Sequence, residues 1–190
     1  KTKSSSGEAV KRAFIIEISM MAVLRKEKNV ARLTAYCVED GLFLIMPYYV
    51  LGSLKQFVHS GMCGNRFNLK YALTMTLGMA RGIQTIHDAG FAHNDIKLDN
   101  VLLDIDMNRQ IYPVITDFGI ATVVSDAASV VEFFDIRTVK GISLSYAAPD
   151  VITRFRTGDL TNDTVVLYSA DAFSLCVCVY EMVHQKKVWK

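Results

Sequence analysis

Eight consecutive residues, His93-Asn94-Asp95-Ile96-Lys97-Leu98-Asp99-Asn100, constrain this chain more than any other stretch. Polar side chains alternate here with apolar ones, and Asp95, Lys97 and Asn100 fall within six positions. The apolar run Val101-Leu102-Leu103 follows and pins the loop to a core. A polar turn, Asp104 to Gln110, separates it from a second apolar run, Ile111 to Ile115, which delivers Asp117-Phe118-Gly119. Two such runs bounded by a turn read as adjacent strands, so Asn100 and Asp117 stand where they can converge on one ion. Carboxylate and amide oxygens suit magnesium, which keeps several waters and shares its shell with phosphates. A carboxylate (Asp95) and an ammonium (Lys97) two residues apart can address one substrate, one taking a proton and the other neutralising charge.

These residues carry a resemblance. His93 to Asn100 resembles the protein-kinase catalytic loop, His-Arg-Asp-x-Lys-x-x-Asn, and Asp117-Phe118-Gly119 resembles the Asp-Phe-Gly magnesium motif of the same family. Ala148-Pro149-Asp150 is similar to the Ala-Pro-Glu that closes the activation segment. Each motif alone is weak, whereas three in order at kinase-like spacing are specific. The plain alternative is an acidic loop beside a hairpin.

Length and composition fit one domain of chain with a sizeable core, since 51% of the 190 residues are hydrophobic. A net charge of only +2 argues against nucleic-acid binding as the main activity. Cys37, Cys63, Cys176 and Cys178 lack zinc spacing and are expected as buried thiols in a reducing compartment. No uninterrupted apolar stretch approaches the ~20 residues of a membrane span, so no membrane segment is expected. The polar start, Lys1 to Gly7, has no methionine and no signal-peptide pattern. The chain therefore reads as an internal part of a larger protein, with a cytoplasmic location.

In chain order, Glu8 to Arg25 reads as an amphipathic helix capped by Ser5 or Ser6, with Val10, Ala13, Phe14, Ile18, Met21 and Leu24 on its apolar face. Glu17 sits among Phe14, Ile15, Ile16 and Ile18, and a carboxylate buried there needs a partner; the alternative is a carboxylate leaning into solvent. The resemblance makes this helix C, whose glutamate pairs with a strand lysine. Lys1, sixteen positions earlier, is the expected partner, with Lys3 and Lys11 as rivals. Asn29 to Leu33 resembles the approach to strand four, and Leu42 to Met46 reads as a strand after the Glu39-Asp40-Gly41 turn. Pro47 to Leu54 is similar to the kinase hinge. The resemblance then implies Met46 at the gatekeeper position, the Pro47 carbonyl and Tyr49 N–H toward adenine, and Leu102 beneath it. Proline keeps its carbonyl, so Pro47 does not spoil the site. Ser53 caps the helix Leu54 to His59 and stands within reach of a ribose hydroxyl.

Ser60 to Asn68 reads as a surface loop, and Leu69 to Ala89 as a long helix with Leu73, Leu77, Ala80, Ile83 and Ile86 on one face, ended by Gly90. His87 near its end is expected to be structural. Ala121 to Ala147 is the activation segment by resemblance, with Ser125, Ser129, Thr138, Ser143 and Ser145 as candidate phosphosites. Ser143 aligns with the hydroxyl that contacts the catalytic aspartate and lysine. Val151 to Tyr168 reads as a helix followed by a loop. Ser169 to Met182 resembles the buried helix F, whose aspartate, here Asp171, holds the catalytic-loop backbone.

The resemblance implies an α+β, protein-kinase-like two-lobe fold truncated at both ends: part of the N-lobe sheet with helix C over residues 1–47, a hinge over 48–53, and a mostly helical C-lobe through helix F over 54–190. It implies an ATP-dependent protein kinase acting on serine or threonine hydroxyls of protein substrates, with ATP and Mg2+ as cofactors and no nucleic acid beyond ATP. Asp95 is the expected base and Lys97 the expected charge stabiliser. Asn100 and Asp117 are the expected metal ligands. Phe118 is expected to stack with His93, Met21 and Leu33. The oligomeric state leaves no mark in the sequence. The alternative is a pseudokinase, a nucleotide-binding or scaffold module; small-molecule phosphotransferases of kinase-like fold are the more distant rival.

Three departures from the pattern have consequences. Asn94 stands where the family has arginine, and a neutral amide cannot pair with an activation-loop phosphate. Activity is therefore expected not to depend on that switch. Asp150 stands where the family has glutamate, keeping the charge with shorter reach. No Gly-x-Gly-x-x-Gly precedes Lys1 and no helices G to I follow Lys190. The helix at the end is thus expected to expose apolar surface around Val179, Val183, Val188 and Trp189.

Overall fold

A β-hairpin and the two long helices behind it set the frame of this protein. The computed structural model describes residues 3–39, 41–60, 68–124, 143–157, 164–186 and 188. The hairpin pairs β4 (Val101–Ile105) with β5 (Ile111–Ile115), Val101 opposite Ile115 and Ile105 opposite Ile111. The expected polar turn closes it, because the Asp106 carboxylate accepts the N–H groups of Asn108 (3.0 Å) and Gln110 (2.9 Å). Asn29-Val30-Ala31 straps the outer side of β5: Ile115 N–H donates to Asn29 O at 2.9 Å and Ala31 N–H to Ile115 O at 2.8 Å.

Helix α3 (Leu69–Asp88) lies across this hairpin, capped by Asn68 and ended by Gly90 at φ +80°. Its buried face differs from the expected one. Leu73 and Leu77 are exposed, at 59% and 53%, while Ala72, Met75, Gly78, Met79, Gly82, Ile83 and Ile86 are buried. The two glycines explain the rotation. A Cβ on Gly78 would fall 2.5 Å from Pro113, and one on Gly82 would fall 2.7 Å from the Asn29 carbonyl oxygen. Helix and hairpin approach closely along this small-residue stripe. Met75, Met79 and Ile86 then reach full burial, worth about 1.5–3 kcal/mol per side chain.

Helix α1 (Lys3–Val23) begins before its expected start, which places Ser5 and Ser6 inside the helix rather than at its cap. The core meets its second half: Ile18, Met20 and Met21 are buried, as is Leu24 just past its end, whereas Val10 and Ile15 are exposed. Strands β1 (Ala35–Cys37) and β2 (Phe43–Ile45) form a short antiparallel pair. Helix α2 (Leu54–His59) starts at the expected Ser53 with a reciprocal cap. Ser53 Oγ accepts Gln56 N–H at 3.2 Å and Gln56 Oε1 accepts Ser53 N–H at 3.1 Å. Strands β3 (Phe91–Ala92) and β6 (Thr122–Val123) pair on either side of the central loop.

Helix α4 (Pro149–Thr157) is followed by α5 (Thr164–His184), which starts five residues before the expected Ser169. By length and mean hydropathy (1.5 over Val166–His184) α5 matches a membrane-crossing helix. Its apolar run is interrupted by Asp171, Ser174 and Glu181, all buried against other elements. Of the residues expected to form exposed apolar surface, Val183 is exposed, whereas Val179 and Val188 are half-buried and pack against the core; Trp189 lies outside the described residues. The thiols depart from expectation: Cys178 is buried, Cys176 is exposed and Cys37 is intermediate, with no disulfide joining the three. Cys63 lies outside the described residues. The mixed helices and strands agree with the α+β expectation.

Replacing Gly82 with alanine is expected to destabilise the fold by about 1–3 kcal/mol through overpacking, despite alanine's better helix propensity. Urea unfolding measures it, and an unchanged midpoint would refute the close approach of α3 to the hairpin.

Candidate active site

The site is built on Asp171 of α5, which is 1% exposed. Its Oδ2 accepts the backbone N–H of His93 (2.8 Å) and lies 2.9 Å from His87 Nε2, and its Oδ1 accepts the backbone N–H of Asn94 (2.8 Å). A carboxylate offers only lone pairs, so His87 Nε2 carries a proton there. His87 is accordingly structural; its ring stacks on Tyr168 at 4.1 Å, and Tyr168 Oη donates to the His87 carbonyl. Charge-assisted bonds of this kind contribute about 1.5–3 kcal/mol each.

The loop that Asp171 holds turns sharply at Asn94, whose φ is +65°, a conformation in which asparagine is among the tolerated side chains. The Asn94 amide donates to Ile120 O (3.1 Å) and to Thr122 Oγ1 (2.8 Å). It thereby ties the loop to the segment after Asp117-Phe118-Gly119. His93 is fully buried, and its Nε2 donates to Thr116 O at 3.1 Å, leaving Nδ1 to accept the Asp95 N–H at 3.3 Å. Burial pushes its pKa down, against the pull of Asp171, so the ring is the neutral tautomer that both bonds require. Its ring meets Phe118 at 5.2 Å, one contact of the expected stack; Met21 belongs to the same buried core and Leu33 packs against that core half-buried.

Asp95, Lys97 and Asn100 converge. Asp95 Oδ2 accepts Lys97 Nζ (2.5 Å) and Asn100 Nδ2 (2.9 Å), and Asn100 Nδ2 also donates to the Asp95 carbonyl (3.0 Å). Lys97 Nζ reaches Ser143 Oγ at 3.0 Å, which engages the Ser143 hydroxyl. Asp95 Oδ1 is buried and meets no hydrogen-bond partner among the described residues. The end of the hairpin brings in Asp117: Val101 faces Ile115, and Thr116 N–H donates to Asn100 O at 2.9 Å. Asp117 is exposed at φ +67°. Because the Asn100 amide nitrogen is committed to Asp95, its carbonyl oxygen is the group left for a ligand. Asn100 and Asp117 together offer hard oxygen donors of the kind magnesium takes beside waters and phosphates. Among the described residues no cluster of three histidine, cysteine or acidic groups forms a metal cage.

Glu17 of α1 faces the same place. Burial and then the charge of Asp117 raise its pKa, while a hydrogen bond from the Phe118 backbone N–H lowers it. Its expected partner Lys1 lies outside the described residues. Met46, Pro47, Tyr49, Ser53 and Leu102 line a separate cavity of about 720 Å³. Leu102 closes one wall by bridging to Ser53, and Leu103 N–H donates to Gly52 O at 3.0 Å. Tyr49 is buried with its side chain packed toward Arg32 and Asp104. Met46 Sδ receives Thr116 Oγ1 at 4.0 Å. Ser125, Ser129 and Thr138 lie outside the described residues, Ser145 is exposed, and Asp150 is exposed in the first turn of α4. Sequence reasoning missed the Asn94 bridge, for which a φ-tolerant residue inside a tight polar loop was the available signal. It also missed the buried Glu181, hidden in an apolar run.

The model of the protein kinase domain family matches residues 1–190. The rust resistance kinase Lr10 of Triticum aestivum is 31% identical over 192 residues, covering 97% of this chain and 27% of that protein. A probable leucine-rich-repeat receptor-like serine/threonine-protein kinase of Arabidopsis thaliana, At1g29720, is 32% identical over 191 residues, 97% of this chain and 16% of that protein. The chain thus spans well under half of either relative. The crystal structure of the Rad53 kinase domain and SCD2 superposes with a TM-score of 0.67 at 20% identity, over 94% of this chain and 55% of that one, which shows the shared fold.

The raised pKa of Glu17 has a definite sign. The folded state binds its proton more tightly than the unfolded state does, so stability is lost as pH rises from the ordinary 4.5 through the folded value. Glu17→Gln keeps an oxygen for Phe118 N–H. It is expected to raise Tm at pH 7 and leave it unchanged at pH 4; scanning calorimetry at both pH values decides, and an equal effect at both would contradict it.

Proposed function

This chain belongs to the protein kinase domain family, and we propose that it transfers the γ-phosphoryl group of Mg-ATP to serine or threonine hydroxyls of protein substrates. The observation that carries the reading is Asp95 Oδ1, a buried carboxylate oxygen with no partner among the described residues, beside a lysine held 2.5 Å from its sister oxygen. A satisfied structural carboxylate would leave no such oxygen, whereas a base awaiting a hydroxyl proton requires one.

On this reading the acceptor hydroxyl donates to Asp95 Oδ1 and attacks the γ-phosphorus. The new O–P bond forms as the bond to the ADP oxygen breaks, and the proton passes to Asp95. Lys97 neutralises charge on the transferring group, and Ser143 holds Lys97 from the acceptor side. Asn100 and Asp117 would hold magnesium, which supplies charge neutralisation on the phosphates. Adenine would lie in the cavity at Met46, the Pro47 carbonyl and the Tyr49 N–H, over Leu102, with Ser53 toward the ribose. Lys1 and Glu17 would position the α- and β-phosphates. On this reading the lobes are residues 1–47 and 54–190, joined by a hinge at 48–53. The receptor-like kinase name of one relative and the need for cellular ATP support a cytoplasmic place within a longer protein.

Asn94 supports a further element of this reading. Its two bonds to Ile120 and Thr122 are neutral and already made, so the segment after Phe118 is docked with no phosphate needed. Phosphatase-treated protein is therefore expected to keep its rate.

The test is transfer of label from γ-labelled ATP to a serine and threonine peptide pool, with magnesium-dependent ATP binding followed by calorimetry. Asp95→Asn is expected to lower kcat by about 10²–10⁴ and leave ATP binding intact, and Asp117→Asn to abolish magnesium-dependent binding. Binding without transfer in the unmutated protein would favour a nucleotide-binding pseudokinase, and a rate unaffected by Asp95→Asn would overturn the mechanism.

A further inference from the structure

Beside Asp95 lies a cavity of about 470 Å³ whose wall includes Lys97, Asn100 and Ser143, separate from the one at Met46 and Leu102. On the reading above, the acceptor segment enters from this side. The charged residues of the wall are Lys55, Lys97, Asp99 and Glu181, and each already has a partner. Lys97 Nζ is held by Asp95 Oδ2 and Ser143 Oγ. Glu181 has both oxygens engaged, Oε1 with His59 Nε2 at 2.8 Å and Oε2 with the Tyr146 hydroxyl. Lys55 Nζ sits between the two oxygens of Asp99, at 2.8 and 2.9 Å. Among the described residues of this wall, no charged group is left over to meet a charge on the acceptor.

The Lys55–Asp99 pair is the open one. Its side chains are 32% and 41% exposed, whereas Glu181 and Asp95 are nearly closed to solvent. Lys55 follows Leu54 in the first turn of α2, and Asp99 follows Leu98 in the 3-10 turn Leu98–Asn100. Leu54 and Leu98 are fully buried in one core, so each anchors its neighbour and the two neighbours emerge side by side on the cavity wall. Neither Lys55 nor Asp99 has a part in the chemistry above. An ion pair this open contributes little to stability, and its effect is on the surface it leaves. A carboxylate only accepts, and Lys55 occupies both oxygens of the one that stands next to Asn100. The same wall carries apolar surface, with Leu144 at 58% exposure beside Val177 and Val188.

We propose, on the reading that the chain phosphorylates protein hydroxyls, that Lys55 is a specificity-determining residue: by occupying Asp99 it neutralises the acceptor cavity, so the chain takes serine or threonine segments with uncharged, apolar flanks. Specificity is a difference of affinities. A lysine or arginine on the acceptor reaches Asp99 only by displacing Lys55, which exchanges one ion pair for another and leaves no net gain. An acidic residue likewise reaches Lys55 only by displacing Asp99. An apolar flanking residue breaks no pair and covers Leu144, removing apolar surface from water. Removing the Lys55 charge frees the Asp99 carboxylate, and the cavity then selects a basic acceptor by charge complementarity.

The test is kcat/KM for a set of serine peptides in which arginine, glutamine, glutamate or leucine is placed in turn at each position flanking the serine. In the unmutated protein leucine is expected to be preferred at one or more positions, and arginine to differ from glutamine by less than about twofold at all of them, below the weight of a partly exposed ion pair. Lys55→Gln is expected to raise the arginine-over-glutamine ratio about three- to fivefold at one position, the weight of such a pair once its partner is free, with the ATP KM unchanged. Added salt is expected to shrink that gain, and Asp99→Asn in the Lys55→Gln background to remove it. A strong arginine preference in the unmutated protein, no gain in Lys55→Gln, or a gain that survives Asp99→Asn overturns the proposal. If the unmutated protein transfers to no peptide, the reading of function falls first and the acceptor role with it, a result distinct from an active protein whose preferences ignore Lys55.

Discussion

A single buried carboxylate, Asp171, sets the geometry on which the rest of the site depends. It takes two consecutive backbone N–H groups, those of His93 and Asn94, and the His87 ring. Two adjacent amides pointing at one side chain force a turn, and Asn94 absorbs that turn with a positive φ. Beyond it the chain runs extended to Lys97 and closes in a 3-10 turn at Leu98–Asn100. Asp95, Lys97 and Asn100 therefore meet because their backbone is bent by a helix remote in sequence, and their mutual bonds finish the arrangement rather than start it. The cost of burying a carboxylate is offset by three donors.

The second constraint is the close contact of α3 with the hairpin. Gly78 and Gly82 admit Pro113 and the Asn29 backbone, and Asn29 fixes β5 from the other side. The hairpin register then decides which residues emerge at its end, Asn100 from one strand and Thr116-Asp117 from the other. A one-residue slip would turn Leu103 and Ile115 out of the core, and both are completely buried. Core packing and the separation of the proposed metal ligands are thus fixed by the same register.

Much of this was legible in the amino-acid order. The hairpin announced itself by two apolar runs around a polar turn, α2 by Ser53, and the loop by the alternation of functional and apolar residues. The role of Asp171 followed from the resemblance rather than from its own surroundings. What escaped did so for physical reasons. Counting leucines put Leu73 and Leu77 of α3 inside, but a helix packs on the face that allows the closest approach, and here glycine defines it. The start of α1 was misjudged because Ser5 and Ser6 look like caps yet sit within the helix. The contacts of Glu181 with His59 and Tyr146 span 122 and 35 residues, and no local pattern marks a partnership that long-range.

The central claim is that Asp171 organises residues 93–100 as one unit. Native-state amide hydrogen exchange on Asp171→Asn tests it directly, since asparagine keeps the volume and one acceptor oxygen while losing the charge. The account predicts that protection at His93 and Asn94 falls sharply and that amides through Asn100 open with them, while those of α3 around Met79 and Ile83 keep theirs. Unchanged protection across the loop, with α3 equally intact, would show that the loop holds its own shape and would contradict the account.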